Sequence, residues 1–172
     1  MKLTWFSGTT IRIHIGGRIL VCDPTGAGAG VDQDELVSGA DVQFALAEAG
    51  PSVDPVLWEP RRAAAMIEEE AVPEVLVHGI AGGALIAATG EPPLLLVDGE
   101  VAAAGRWGRD AVVVVFGPEA ERRAARVLEV VGPRLIAIAA DEAVVDAAFA
   151  ALAGQLRGTG LMALEAGLAV EV

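Results

Sequence analysis

Few side chains in this 172-residue chain are equipped for chemistry, and their scarcity is informative. The chain holds two histidines, His14 and His78, and one cysteine, Cys22. A catalytic zinc takes about three protein ligands plus an open position, and a structural zinc takes four. Two imidazoles and one thiol cannot supply a nitrogen-rich centre. Cys22 has no partner for an internal disulfide, and at the end of an apolar strand it reads as a small buried hydrophobe. His14 shares a strand face with Arg12, opposite the isoleucines, and reads as an exposed strand residue. The serines are Ser7, Ser38 and Ser52, and none lies in the Gly-x-Ser-x-Gly turn that presents a hydrolase nucleophile. Glu48 and Asp98 would make a carboxylate pair of the glycosidase kind, but two acids among 24 carry little information. Glu68, Glu69 and Glu70 are adjacent, so on a helix they point in different directions and read as a solvated helix end. The loop Asp23-Pro24-Thr25-Gly26-Ala27-Gly28-Ala29-Gly30 lacks the lysine and hydroxyl residue of a phosphate cradle. No catalytic residue is expected from these patterns.

The elements that must position these groups follow from periodicity. Leu3 and Trp5, then Ile11, Ile13 and Ile15, alternate as in half-buried strands. Gly16-Gly17 predicts a hairpin turn and Arg18–Cys22 the returning strand. Asp32–Ser38 predicts a short helical turn, Val42–Leu46 a strand, and Glu59-Pro60 the start of one helix closed by Pro73. Strands are predicted at Glu74–Val77, Ala84–Ala88, Pro93–Val97 and Asp110–Phe116, with a turn at Gly79–Gly83. Two helices then flank the strand Leu135–Ala139. The first has Ala120, Ala124, Val127, Leu128 and Val131 on one face, between Pro118 and Gly132-Pro133. The second repeats Val145, Phe149, Leu152 and Leu156, capped by Asp141 and ended by Gly158. Leu161–Leu164 and Leu168–Val172 predict a closing strand pair around Glu165-Ala166-Gly167. Strands first, then helix and strand alternating without a linker, predict one α/β domain over residues 1–172.

Composition narrows the partners. A net charge of −12 argues against nucleic acid, whose binding needs a basic surface. The chain is 53% hydrophobic with a mean hydropathy of +0.52, yet no run approaches the roughly 20 apolar residues that span a bilayer. Its first residues lack the layout of a signal peptide. A soluble, cytoplasmic protein without membrane or nucleic-acid partners is expected.

The order of the pieces resembles the metallo-β-lactamase fold, in particular the small metal-dependent hydrolases of the ascorbate-6-phosphate-lactonase-like branch. The resemblance rests on Trp5-Phe6-Ser7-Gly8-Thr9-Thr10, Gly16-Gly17, Cys22-Asp23-Pro24 and Ala40-Asp41 before a strand. It implies an αββα sandwich, here trimmed in the middle after Ser52. The family's His-x-His-x-Asp-His ligands fall on Ala47, Ala49, Pro51 and Ser52, and the histidine of its Pro-Met-His segment on Ala140. Val77-His78-Gly79 is similar to another ligand motif, and the bridging aspartate matches Asp98. Of the ligand set the resemblance implies, only His78 and Asp98 remain in position.

The expectation is therefore a protein that has lost the metal site and is not an enzyme, with no cofactor and an interaction or oligomerisation role as a homodimer. Two alternatives stand beside it. One is a small-molecule binding protein whose pocket draws on Asp23, Glu48, Ser52, His78, Asp98 and Asp141. The other is a hydrolase with zinc or manganese on a divergent partial site at His78 and Asp98.

Overall fold

The computed structural model describes residues 1–61 and 74–172. Two sheets face each other. The first takes β1 (Lys2–Ser7), β2 (Thr10–Ile15), β3 (Arg18–Cys22), β4 (Val42–Phe44) and β11 (Ala169–Glu171), in the order β11-β1-β2-β3-β4. The second takes β5 (Val75–Ile80), β6 (Gly83–Ala88), β7 (Leu94–Val97), β8 (Val112–Phe116), β9 (Leu135–Ala139) and β10 (Gly160–Ala163), in the order β10-β9-β8-β7-β6-β5.

Strand parity builds the core. Leu3, Ile11, Ile13, Ile15, Leu20 and Cys22 turn inward from the first sheet and meet Ile86, Leu94, Leu96, Val112, Val114 and Phe116 from the second. The opposite parity of the second sheet, Leu85, Leu95, Val97, Val113, Val115, Ile136 and Ile138, packs under two helices. These are α2 (Ala120–Val130), which buries Ala120, Ala124 and Val127, and α3 (Glu142–Leu152), which buries Ala148 and Leu152. Because β7 and β8 are buried on both faces, they read as unbroken apolar runs. The first sheet keeps Lys2, Thr4, Arg12 and His14 on its outer side. There it carries the five-residue α1 (Gln33–Val37), capped by the Asp32 carboxylate and tied to the sheet by Arg12, which donates to the Leu36 and Ser38 carbonyls. Among the described residues, no helix is long and apolar enough to cross a membrane.

Several local expectations change. The strand through His78 runs on to Ile80, so His78-Gly79 lies in the strand and the turn is confined to Ala81-Gly82. The second helix ends at Leu152, not near Gly158, and its buried face is Ala148 and Leu152, while Phe149 is 37% exposed. Asp141 stands at its N-cap position without a side-chain cap bond. The last two strands are not partners: β10 pairs with β9 in parallel, and β11 pairs with β1 antiparallel in the other sheet. Gly167, at φ 78°, makes the step between sheets, and its N–H donates to the Trp5 carbonyl at 2.7 Å. Most of the helix expected before Pro73 lies outside the described residues.

Candidate functional site

A cleft of about 760 Å³ opens where β3, β4 and β7 end and where the β1–β2 and β5–β6 turns meet. Thr9, Glu48, Ser52 and Asp98 bring polar side chains to it. Leu46, Ala47, Ala49 and Ile80 supply apolar wall, and glycines at 50, 79, 82, 83 and 99 supply bare backbone. Two of those glycines let the loop that carries Leu46–Ser52 close onto β5. A Cβ on Gly50 (φ +36°) would stand 1.9 Å from the Val77 carbonyl oxygen, and one on Gly79 would stand 2.5 Å from that of Ala49. Main-chain bonds then fasten the loop to the β5 edge: Gly79 N–H donates to Pro51 at 3.1 Å, and Val53 N–H donates to Gly79 at 2.9 Å.

Asp23 holds the opposite wall. Its carboxylate accepts the Thr9 hydroxyl at 2.6 Å and the Leu46 N–H at 3.0 Å. Its own N–H donates to Phe44 at 2.9 Å, and its carbonyl accepts the buried Thr10 hydroxyl at 2.7 Å. Asp23 adopts a left-handed backbone, φ 44°, which aspartate tolerates better than most residues. It lines the cleft but is occupied in pinning the loop that carries Leu46–Gly50. Next to it, burial first and the Asp23 charge second push the Cys22 thiol far up, so the thiol stays protonated.

Asp98 stands at the far rim, 53% exposed, facing Arg123. The Arg123 guanidinium reaches it from α2: Nη1 donates to the Phe116 carbonyl at 2.7 Å and lies 3.4 Å from Asp98 Oδ1. The Arg123 side chain is only 15% exposed, and its Nε is buried without a hydrogen-bond partner among the described residues. Nothing in the sequence pattern singled out this arginine.

The cleft gathers some expected residues and separates others. Ala47, Ala49, Ser52, Glu48, Asp23 and Asp98 line it, and Pro51 does not. His78 does not. Parity on β5 puts Gly79 at the cleft, while His78 lines a separate pocket of about 150 Å³ beside Leu76 and Trp58. The Trp58 ring meets it edge-on at 6.4 Å. The expected partial site of His78 with Asp98 is therefore not assembled. Asp141 and Ala140 are also outside the cleft, the first exposed at the start of α3 and the second buried in the core under the helices.

Carboxylates and hydroxyls are the donors this cleft offers a cation. Among the described residues, no three of His, Cys, Asp and Glu stand together in a way that could hold a metal ion. The residues that line the cleft do not fit a nitrogen-rich zinc centre.

No protein-family model matches the chain, and no curated protein matches it. Solved structures do. The isothiocyanate hydrolase from Delia radicum gut bacteria aligns over 99% of both chains, with TM-score 0.57 at 11% identity. Igni18, a metallo hydrolase from the hyperthermophilic archaeon Ignicoccus hospitalis, aligns over 99% of this chain and 98% of its own, with TM-score 0.51 at 12% identity. A fainter likeness, TM-score 0.39 at 13% identity over 81% and 75% of the two chains, is to a structure from Thermotoga maritima described as a zinc-dependent hydrolase of the metallo-β-lactamase superfamily. The expectations of no enzyme and no cofactor stand corrected by the first two of these structures, both hydrolases and one of them named for its metal. Its two facing sheets, matched end to end by such proteins, give this chain the metallo-β-lactamase fold.

Proposed function

We propose that the protein takes a small polar molecule into the cleft framed by Thr9, Glu48, Ser52 and Asp98, in a site that has diverged from the ligand pattern its sequence resembles. The observation that carries this reading is the cleft itself: about 760 Å³, lined by two hydroxyls and three carboxylates, Asp23 among them, beside bare glycine backbone. That volume falls in the range of about 300–1,000 Å³ usual for small-molecule sites. Its polar side chains are mainly acceptors, so the ligand class is one rich in donors, a polyol or an amine. The resemblance to the ascorbate-6-phosphate-lactonase-like branch, shortened between Ser52 and Glu74 and altered at Ala47, Ala49, Pro51 and Ser52, supports a changed rather than a conventional site.

Thermal shift against a panel of polyols and amines tests the proposal. A ligand at about 100 times its Kd adds about 2.7 kcal/mol of stability, and Glu48→Ala should abolish the shift. A panel without a hit, or a hit that Glu48→Ala leaves intact, rejects this cleft as the binding site. Metal content after zinc or manganese supplementation, measured on the same preparations, tells a divergent hydrolase from a binder.

A homodimer is the second reading, favoured by one observation. Val56 and Leu57 stand side by side on the surface, 51% and 78% exposed, and adjacent exposed apolar residues are material for an interface. Light scattering should give twice the 17.5 kDa chain mass, and Leu57→Arg should return it to one. A wild-type monomer at micromolar concentration ends this reading.

A further inference from the structure

Parity on β5 turns His78 away from the cleft and into a second, smaller cavity. Leu76 and His78, two residues apart, share one face of the strand, and Ala87 stands opposite Leu76 on β6. With Trp58 and Pro93 they line a space of about 150 Å³. The Trp58 ring is fixed by its neighbours: it meets Trp107 edge-on at 4.9 Å, and the buried Trp107 donates from Nε1 to the Pro55 carbonyl at 2.9 Å. His78 Nδ1 is buried and has no hydrogen-bond partner among the described residues. A buried polar atom in that state costs stability until a partner meets it. The charged side chains of the pocket are engaged elsewhere or face solvent: Arg61 pairs with Glu74, both exposed, Glu91 lies 3.5 Å from the N-terminal amine, and Glu59 is exposed.

We propose that this pocket is a binding site for a small neutral phenol, one aromatic ring whose hydroxyl meets His78 Nδ1. Size, lining and the orphan nitrogen agree on that class. A cavity of about 150 Å³ with apolar walls is the size that takes up benzene, so a single ring fits, and Trp58 gives it an aromatic neighbour. A phenolic hydroxyl both donates and accepts, so it satisfies Nδ1 in either neutral tautomer of the imidazole. Three glutamates and one arginine stand around the pocket, an edge that repels a carboxylate or a phosphate. This site is separate from the cleft, and neither reading depends on the other.

The test is calorimetry of the full chain with phenol, toluene and benzylamine, joined to NMR of the imidazole nitrogens. The chain has two histidines, and His14, in the other sheet, is the internal control. Phenol should bind and move the His78 ring signals while those of His14 stay in place. His78→Phe, which keeps a ring and removes the nitrogen, should lower the ratio of phenol to toluene affinity about tenfold. Ala87→Leu, which fills the space, should abolish binding of both. The proposal is overturned by no phenol binding at millimolar concentration, or by His78 signals that stay still at saturation. Tighter binding of benzylamine than of phenol, an unchanged ratio in His78→Phe, or phenol binding that survives Ala87→Leu overturns it as well. Where a variant fails to fold, the wild-type NMR titration decides alone.

Discussion

Asp23 does more for this cleft than any other side chain, and it does so as a structural clamp. Removing its carboxylate strands the Leu46 N–H and the Thr9 hydroxyl, and a buried donor left without a partner costs about 1–3 kcal/mol. Asp23→Ala should lower stability by that amount in urea melts, Thr9→Val by less, and the double variant by less than the sum, since both act on one bond. His14 offers a pH signature. Burial first, then the Lys2 and Arg12 charges, lower its pKa, so the folded chain binds fewer protons there than the unfolded chain does. The stability this contributes is complete above the unfolded pKa of about 6.5 and is lost as pH falls below it. Between pH 7.5 and 5.5 the melting temperature should drop, and His14→Gln should flatten the drop. Cys22, buried and held protonated, should resist thiol reagents in the native protein and react once urea unfolds it.

At the scale of elements, the seam between the Leu46–Ser52 loop and β5 leaves no room for a Cβ at Gly50 or Gly79. Gly50→Ala or Gly79→Ala would press a Cβ into a carbonyl at 1.9 or 2.5 Å. Overpacking of this kind costs about 1–3 kcal/mol. Both variants should melt earlier and lose any cleft ligand, whereas Gly90→Ala, with open space around its Cβ but φ +83°, should cost stability and spare the ligand. The seam also marks how far the sequence could be read. Strands with one buried face announced themselves by alternation, as at Ile11, Ile13 and Ile15, and those with two by solid apolar runs, as at Val112–Phe116. The grouping of Ala47, Ala49, Ser52 and Asp98 about one cleft was legible in part, since Pro51 and Ala140, assigned with them, do not line it. The side on which His78 emerges was not. It depends on a parity of one residue along β5, and five of its six residues, Val75, Leu76, Val77, His78 and Gly79, are half-buried, so no polar-apolar alternation fixes the register. Arg123 was invisible for another reason: its partner is 25 residues away, across the end of β8, and one arginine on an amphipathic helix looks like any other.

For the whole molecule, charge and closure matter most. A chain carrying −12 repels itself, and salt screens such repulsion within a Debye length of about 10 Å at 0.1 M. Raising sodium chloride from 10 to about 200 mM, near the physiological regime, should therefore raise the melting temperature. Surface pairs such as Arg126–Glu129 and Arg122–Glu100 are exposed and contribute little against that gain.

The step at Gly167 has a consequence for how the protein is made. Ala163 ends a strand of one sheet and Ala169 begins a strand of the other, which pairs with Lys2–Thr4. Strand β1 must therefore wait for β11, ten strands later in the chain, before its outer edge is zipped. Pairing across such a separation is slow, and until it happens β1 offers an open edge to any neighbouring nascent chain. A chain cut after Gly158 should therefore be recovered as aggregate, with the loss traced to both sheets at once.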